Sequence, residues 1–374
     1  MLKLFEPFRL GASMLANRIV MAPLTRARAP DDVATERIAL YYTQRATAGL
    51  IISEGTPISR AGQGYLFNPG IFTAEQILGW RLTTRSVHAV GGKMFAQLWH
   101  VGRVSHPSIQ EDGRTPVSPS TKTAIGALAF GRDDAGKPNL IAASTPRPLA
   151  TEEIGRVVND FARAAKNALK AEFDGVELHG ACGYLFEQFM NPLVNDRTDQ
   201  YGPQSLENRL RFTLEVVDAV IAVIGRERVG IRLTPYGQLF DMPAYPETEE
   251  TYRVLAGELG SRGIAYIHVM DQGSFRIDDS EAGDTSRKLH ALIRNIRTYL
   301  PETAIILAGG MTRDRAEVLI EDGTIDLAAF GQPFISNPDL VARFRNNWPL
   351  SLADRTTFYG GGAAGYIDYP PFTR

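Results

Sequence analysis

The chain has 374 residues, of which 44% are hydrophobic, and its formal net charge at pH 7 is −2. This balance excludes the strong positive charge that nucleic-acid-binding surfaces need, and no basic run supplies it locally, so no nucleic-acid partner is expected. The single cysteine, Cys182, excludes an intramolecular disulfide framework and a cysteine-rich metal or iron–sulfur centre, so no metal site is expected either.

The N-terminal sequence MLKLFEPFRLG lacks the charged start and apolar core of a signal peptide. No stretch of the chain reaches the ~18 uninterrupted apolar residues that a membrane helix requires. The sequence therefore predicts a cytoplasmic protein without a membrane-spanning segment.

Strand-like and helix-like segments alternate along the chain. A hairpin-like segment at 4–16 comes first, and eight strand-like segments follow at 18–23, 50–54, 93–99, 175–179, 229–234, 265–270, 304–308 and 327–330. Helix-like segments lie at 38–48, 74–90, 207–224, 249–262, 286–300 and 313–322. Because each parallel strand needs a crossover connection, this pattern predicts the α/β class and a single (β/α)8 TIM barrel with an N-terminal hairpin. A doubly wound sheet is the alternative layout, but the even spacing and the lack of a nucleotide-binding fingerprint after the first strand favour the barrel.

One long segment, about 103–149, interrupts the alternation after the third strand. It is rich in Pro, Gly, Ser and Thr and has no sustained period. Because it follows the carboxyl end of a barrel strand, where the active sites of such barrels lie, we expect it to cap the active face as a lid. No interdomain linker is evident, so residues 1–374 are expected to form one domain.

The most informative stretch is FDGVELHGACGYLFEQF, at 173–189. Its period of two turns Glu177 and His179 to the face opposite Val176 and Leu178. A glycine-containing exit and a helical run at 184–190 follow. His179, Cys182 and Tyr184 therefore leave one strand end together, and an imidazole, a thiol and a phenol suit the binding and protonation of an acceptor atom.

The alternation of the fifth strand turns Arg232 inward, because Ile231 and Leu233 face outward. An inward arginine is costly unless it meets an anion or a strong acceptor. A bound ligand is one partner that satisfies this requirement. A buried ion pair with the inward-facing Glu177 is the other.

Three further strand exits carry polar or glycine-rich sequences. The first strand ends in a Pro23–Thr25 turn that presents a hydroxyl group, and alternation in the third places Gln97 and Trp99 on one face. Glycines follow the seventh and eighth strands, where barrels often bind phosphate through backbone N–H groups. Two ordinary tight turns are the alternative explanation for these glycines.

Together these segments resemble the old yellow enzyme family of FMN-dependent ene reductases, in the branch with the 12-oxophytodienoate and N-ethylmaleimide reductases. The resemblance covers nearly the whole chain. It rests on MAPLTRAR (21–28), YYTQRATAGLIISEGTPIS (41–59), QLWHVGRVSH (97–106), HGACGYLFEQF (179–189), NDRTDQYG (195–202), FGQPFISNPDL (330–340) and FYGGGAAGYIDYP (358–370).

The resemblance implies an FMN across the barrel mouth. Thr25 would bond the flavin O4, Gln97 would meet the pyrimidine edge, and Arg232 would stabilise negative charge at N1 and O2. His179 would also lie against the cofactor. Backbone groups of Pro23, Leu24 and Gly55 would contact the ring, and Gly309, Gly310, Gly331 and Gln332 would lie at the phosphate.

The resemblance also implies the chemistry. NADPH or NADH would reduce FMN, and a hydride would then pass to the β-carbon of a small activated alkene. Tyr184 would protonate the α-carbon, while His179 and Cys182 would polarise the carbonyl or nitro oxygen. The predicted pocket also includes Tyr65, Trp99 and Tyr359, although aromatic core packing would explain Tyr65 and Trp99 equally well, and a surface turn would explain Tyr359.

Two positions at the site depart from the family pattern, and a third departure, at Pro203, lies on a surface loop where it should matter least. Cys182 stands where the family has Asn or His, and a thiol is a weak donor, so we expect a weaker clamp or room for bulkier acceptors. Gln332 stands where the family has an arginine that pairs with the phosphate, so we expect weaker FMN retention.

Two alternative functions remain open on the sequence. One keeps the FMN barrel but changes the reaction to nitro or nitrate-ester reduction or to isomerisation. The other is a degenerate flavin-binding barrel with little activity, as Cys182 and Gln332 would permit. The sequence leaves a monomer or a homodimer equally open.

Overall fold

The computed structural model describes residues 2–275 and 279–373. Within those residues eight parallel strands close into one barrel. In chain order the barrel strands are Ile19–Met21, Leu50–Pro57, Met94–Trp99, Gly175–Gly180, Val229–Leu233, Tyr266–Met270, Ala304–Ala308 and Leu327–Phe330. The eighth strand pairs with the first, so the predicted (β/α)8 TIM barrel is confirmed and the doubly wound sheet is excluded.

Helices surround the barrel. They are Glu36–Thr43, Ala74–Ala89, Thr151–Lys170, Leu185–Met190, Leu206–Ile224, Thr248–Arg262, Asp279–Arg297, Arg313–Glu321, Gln332–Ser336 and Leu340–Asn346. Single 3-10 turns lie at Lys3–Phe5, Pro30–Asp32, Arg60–Gly62, Glu111–Gly113, Arg226–Arg228, Gly273–Phe275 and Arg355–Thr357. The helix Thr151–Lys170 is absent from the predicted set, although its apolar side chains repeat at helical spacing and are buried. No helix among the described residues is long and apolar enough to cross a membrane.

The barrel interior is apolar at the amino ends of its strands and polar at their carboxyl ends. An antiparallel hairpin, Phe8–Leu10 with Ser13–Leu15, closes the amino end. Its Leu10 and Leu15 pack in one cluster with interior side chains such as Phe95 and Tyr266. The polar interior side chains lie above this layer, which places them at the mouth where the strand exits meet.

The segment 103–149 contains two small sheets. Val117–Ser118 pairs with Arg147–Pro148, and Leu128–Arg132 forms a hairpin with Pro138–Ala142. The hairpin joins the loop after the second barrel strand, because Phe130 N–H donates to Gly64 O at 3.0 Å and Leu66 N–H donates to Phe130 O at 2.8 Å. These bonds fix the hairpin beside the mouth.

The glycine-rich segment near the C-terminus is held by buried arginines. Arg26 donates to Phe358 O and Gly365 O, both at 2.9 Å, and to Thr357 O at 3.3 Å. Arg28 donates to Thr357 O at 2.7 Å. Because Arg26 directly follows the exit of the first strand, these bonds bring the segment to the barrel mouth.

Gly230 is required by the packing inside the barrel. A Cβ atom there would lie 2.2 Å from the Tyr266 ring. We expect Gly230→Ala to lower the free energy of unfolding by roughly 1–3 kcal/mol, because an added methyl group overpacks a fixed ring. The control is Gly155→Ala on an exposed helix surface, where no atom lies within 4 Å of the added Cβ and a gain of roughly 0.5–1 kcal/mol is expected. Chemical denaturation followed by circular dichroism measures both, and equal effects would contradict this reading.

Candidate active site

A cavity of about 640 Å³ opens at the carboxyl ends of the barrel strands. Its lining combines strand exits with the hairpin of the 103–149 segment, the loop after the fifth strand and the C-terminal segment. The residues predicted from sequence that line it are Pro23, Leu24, Thr25, Gly55, Tyr65, Gln97, Trp99, His179, Cys182, Tyr184, Arg232, Gln332 and Tyr359.

The cavity also has lining residues that sequence reasoning missed. They include Leu128, Phe130 and Leu140 from the hairpin, Leu239 and Phe240 from the loop after the fifth strand, and Ile335 and Phe358. The hairpin residues could have been found, since they alternate on both sides of the turn sequence DDAG. The loop residues carry no periodic signal.

A buried hydrogen-bonded chain lies inside the barrel. Gln97 Nε2 donates to Glu177 Oε1 at 2.8 Å, and His268 Nδ1 is 2.8 Å from Glu177 Oε2. Glu177 therefore holds the Gln97 amide so that its carbonyl oxygen stays available to another donor. The alternative ion pair between Glu177 and Arg232 is wrong, since none of the ion pairs within 4 Å in the described residues joins them.

Arg232 and His179 bring unpaired polar atoms to the cavity. Arg232 Nε and His179 Nδ1 are buried and have no hydrogen-bond partner among the described residues. Burial, reinforced by the Arg232 cation, lowers the pKa of His179 well below its usual value. The imidazole is therefore neutral at neutral pH, and the pair offers a cation and a neutral ring to a ligand rich in acceptors.

The exit of the fourth strand is a strained turn held from two sides. Cys182 has φ +60°, and Gly183 has φ +77°. The Cys182 N–H donates to Thr234 Oγ1 at 2.6 Å, and the Gly183 N–H donates to the Glu187 carboxylate. These bonds stabilise a left-handed conformation that asparagine tolerates better than cysteine.

The Cys182 thiol lies in the cavity wall with its Sγ 3.5 Å from Met270 Sδ. Burial raises the pKa of this thiol to about 11, so it stays protonated at neutral pH. A protonated thiol is a weak donor, which agrees with the weak side of the expected clamp.

Tyr184 is enclosed by aromatic rings. Its ring meets those of Trp99 at 5.0 Å and His179 at 5.1 Å, both edge to face, and that of Phe240 at 5.3 Å. Its hydroxyl lies 3.3 Å from that of Tyr65. Burial raises the pKa of Tyr184 well above its usual value, so it stays a neutral phenol that holds a proton.

Gly55 has a steric role in addition to exposing backbone. A Cβ atom at this position would lie 2.3 Å from the Trp99 ring. Trp99 in turn stacks on Tyr65, with ring centroids 5.4 Å apart. The glycine therefore admits the indole that supports two tyrosines of the cavity.

Only part of the predicted phosphate-binding site lines this cavity. Gly309 and Gly310 have positive φ, and their carbonyl oxygens accept from Arg315 Nη1 at 2.9 and 3.1 Å. Neither glycine is among the cavity lining, and neither is Gly331, whereas Gln332 is. A Cβ on Gly331 would approach only Leu24, at 3.4 Å, so this exit is open.

An unpaired inward arginine, a fixed amide and a buried phenol at the mouth of a TIM barrel form a site suited to a ligand rich in hydrogen-bond acceptors, and comparison with known proteins places the chain among the flavin-dependent oxidoreductases. The model of the NADH:flavin oxidoreductase / NADH oxidase family matches residues 3–351. The chain belongs to this family, within the old yellow enzymes, and is a flavin-dependent oxidoreductase.

Named relatives agree with this assignment. The chain is 42% identical to 12-oxophytodienoate reductase 1 of Oryza sativa subsp. japonica over 98% of this chain and 92% of that protein. It is 41% identical to 12-oxophytodienoate reductase 2 of Arabidopsis thaliana, over 98% and 95%. Among solved structures, morphinone reductase is 46% identical with a TM-score of 0.92, over 99% of this chain and 96% of the other. The old yellow enzyme homologue from Zymomonas mobilis is 39% identical with a TM-score of 0.90, over 99% of both chains.

Glu187, which supports the turn at Gly183, should make stability depend on pH. Burial raises its pKa to about 7, although the Tyr252 hydroxyl donates to it at 2.9 Å. The folded state therefore binds its proton more tightly than the unfolded chain. Its contribution to stability is complete below about pH 4.3 and is lost as pH rises to about 7, by roughly 2–4 kcal/mol.

The measurement is the free energy of unfolding from pH 4 to 8 for the wild type and for Glu187→Gln. We expect the difference between the two proteins to change across this window and to be flat above it. Both proteins contain the buried Glu54, whose pKa is also raised to about 7, so its contribution to the pH dependence cancels in the difference. A difference that is constant with pH would contradict the raised pKa.

Proposed function

We propose that this enzyme uses NADPH or NADH to reduce the activated C=C bond of α,β-unsaturated carbonyl or nitro compounds, with FMN at the barrel mouth. The observation that carries the proposal is the convergence of a neutral imidazole, His179, and a buried phenol, Tyr184, beside the unpaired Arg232 cation. An oxyanion clamp and a proton donor facing one cavity are what an alkene reduction requires.

The residues present fit FMN. Arg232 Nε has no acceptor among the described residues, and Gln97, whose Nε2 donates to Glu177, can accept at its carbonyl oxygen; the edge of a flavin ring offers both kinds of partner. Thr25, Pro23, Leu24 and Gly55 would meet the ring, and Gln332 with Gly309, Gly310 and Gly331 would hold the phosphate. Bound FMN supplies the hydride carrier that NADPH or NADH recharges. One similar structure is of morphinone reductase in complex with tetrahydroNAD, which supports a nicotinamide reductant here.

The chain's own residues then act on the acceptor. His179 and Cys182 bind its carbonyl or nitro oxygen and stabilise the negative charge that develops there. Tyr184 holds the proton for the α-carbon. The hairpin of the 103–149 lid reduces access of water to the reacting groups, which strengthens these electrostatic interactions.

The rim of the cavity favours acceptors with apolar substituents. Leu128 and Leu140 of the hairpin are 43% and 58% exposed, and Tyr359 on the C-terminal segment is 69% exposed. These side chains continue the apolar wall of Trp99 and Tyr65 toward solvent. A ring or alkyl group beyond the reacting bond would cover them and gain from the burial.

Tyr184→Phe tests the proton donor. The protein is reduced anaerobically with NADPH and mixed with 2-cyclohexenone while flavin absorbance is followed. We expect bleaching at the wild-type rate but recovery slower by roughly 10²- to 10⁴-fold, because general acid catalysis is lost. Tyr299→Phe on the surface is the matched control.

Other outcomes would redirect the assignment. Bleaching without recovery in the wild type would exclude simple enone reduction and favour nitro compounds or bulkier acceptors. A protein that shows no flavin spectrum after added FMN would be a degenerate barrel. Wild-type recovery in Tyr184→Phe would remove Tyr184 from the mechanism.

Cys182→Asn should strengthen the clamp. The amide adds a good N–H donor, and asparagine suits the φ of +60° at this position. Partial recovery of one oxyanion donor should speed reoxidation by 2-cyclohexenone by roughly 10-fold. Cys182→Ser separates the two effects, since it adds a donor without the same conformational preference. If both variants reoxidise no faster than the wild type, the residue at 182 is not part of the clamp.

A further inference from the structure

After Tyr184 has given its proton to a substrate, another proton must reach its buried hydroxyl. Tyr184 is 6% exposed, and aromatic rings of Trp99, His179 and Phe240 surround it. Among the described residues, the only hydrogen-bond partner of its hydroxyl is the hydroxyl of Tyr65, at 3.3 Å. When Tyr184 loses its proton, the hydroxyl of Tyr65 is therefore the group among the described residues that can stabilise the negative charge by a hydrogen bond.

Loss of the proton is costly in these surroundings. A phenolate enclosed by rings lacks the solvation it has in water, and burial already raises the pKa of Tyr184 well above its usual value. A donor that supplies its proton as the negative charge forms lowers this cost. The thiol of Cys182 is a weak donor, and its sulfur contacts Met270.

Tyr65 is held in position for this task. Its ring stacks on Trp99, and its backbone pairs with Phe130 of the lid hairpin. It is less buried than Tyr184 and lies in the cavity wall with the exposed Tyr359. Burial raises the pKa of Tyr65, and the nearby Tyr359, whose side chain is 69% exposed, adds to the shift. The buried Tyr65 hydroxyl therefore has Tyr184 as one neighbour and a solvent-exposed tyrosine as another.

We infer that Tyr65 is a positioning residue and proton relay for Tyr184. This inference rests on the proposed function. As the C–H bond forms at the α-carbon, the O–H bond of Tyr184 breaks. The hydroxyl proton of Tyr65 moves to the Tyr184 oxygen, and a solvent water returns a proton to Tyr65 and leaves as hydroxide. Both tyrosines end in their starting state, and the relay moves no electrons.

The separation of the two hydroxyls is consistent with this relay. A hydroxyl pair at 3.3 Å is longer than the usual ~2.7–2.8 Å. Catalytic hydrogen bonds are often long before substrate binds, and a bond to an ionised oxygen is shorter and stronger than a neutral one. Charge on Tyr184 would therefore draw the two oxygens together.

The test uses the FMN-loaded enzyme with Tyr65→Phe, which keeps the ring that stacks on Trp99. Reduction by NADPH is followed in the same variant, so that an effect on nicotinamide binding is separated from an effect on proton transfer. Reoxidation by 2-cyclohexenone should slow by roughly 10- to 100-fold, as expected for loss of one hydrogen bond to a charged group. Reoxidation by ferricyanide, which needs no proton on carbon, should be unchanged.

The solvent isotope effect on reoxidation is a second measurement, and a purely structural role of Tyr65 would not change it. In the wild type the relay moves two protons. A plot of the rate of reoxidation by the enone against the deuterium fraction of the solvent should therefore be curved. In Tyr65→Phe the plot should become linear. Tyr299→Phe serves as the control in every measurement.

The outcomes separate the relay from the proposed function. If Tyr184→Phe slows enone reoxidation but Tyr65→Phe does not, the relay is refuted and the proposed function stands. If Tyr65→Phe slows ferricyanide and enone equally, Tyr65 acts through structure and the relay is again refuted. If Tyr184→Phe reoxidises normally, the proposed function fails, and the relay fails with it.

Discussion

Closure of the parallel barrel decides where every functional side chain lies. The eighth strand pairs with the first, and the third pairs with the fourth, so all eight carboxyl ends meet at one mouth. The hairpin fills the amino end with apolar side chains, and interior polar groups are therefore confined to the mouth. Gln97, Arg232 and His268 are far apart in the chain, and the parallel pairing of the third to sixth strands around the barrel brings them together.

The charge distribution inside the mouth is uneven, and the imbalance points to a ligand. Glu177 is bonded to Gln97 and His268, so the one interior carboxylate that sequence reasoning offered to Arg232 is already engaged. Burial lowers the pKa of His268 although Glu177 opposes the shift, and it lowers that of His179, which has no such carboxylate, well below its usual value, with the Arg232 cation adding to the effect at both rings. Arg232 thus lies between neutral rings and its Nε has no partner among the described residues, which is the observation behind the proposed contact with a cofactor.

Sequence periodicity correctly predicted which way side chains on regular strands face, but it gave no such information for irregular segments. A period of two placed Gln97, His179 and Arg232 inward because strand geometry is fixed. The partner of Glu177 was missed because His268 lies two barrel strands away, and the sequence carries no record of that contact. Phe240 was missed because it lies in an irregular loop with φ +54°. The strained φ of Cys182 was equally invisible, since a cysteine gives no signal for a left-handed turn.

The turn at Cys182 holds Tyr184 in place through backbone hydrogen bonds and leaves the side chain at position 182 free of that task. Tyr184 must stay fixed, and the bonds from the Cys182 N–H to Thr234 and from the Gly183 N–H to Glu187 provide this through the backbone. Neither bond uses the side chain at 182. That side chain can therefore vary in its donor strength without moving Tyr184, whereas Gly183 cannot vary, since a Cβ there would lie 2.4 Å from Leu239 O. The fold thus fixes Tyr184, the proposed proton donor, through the backbone and leaves position 182, the proposed second contact to the substrate oxygen, open to change.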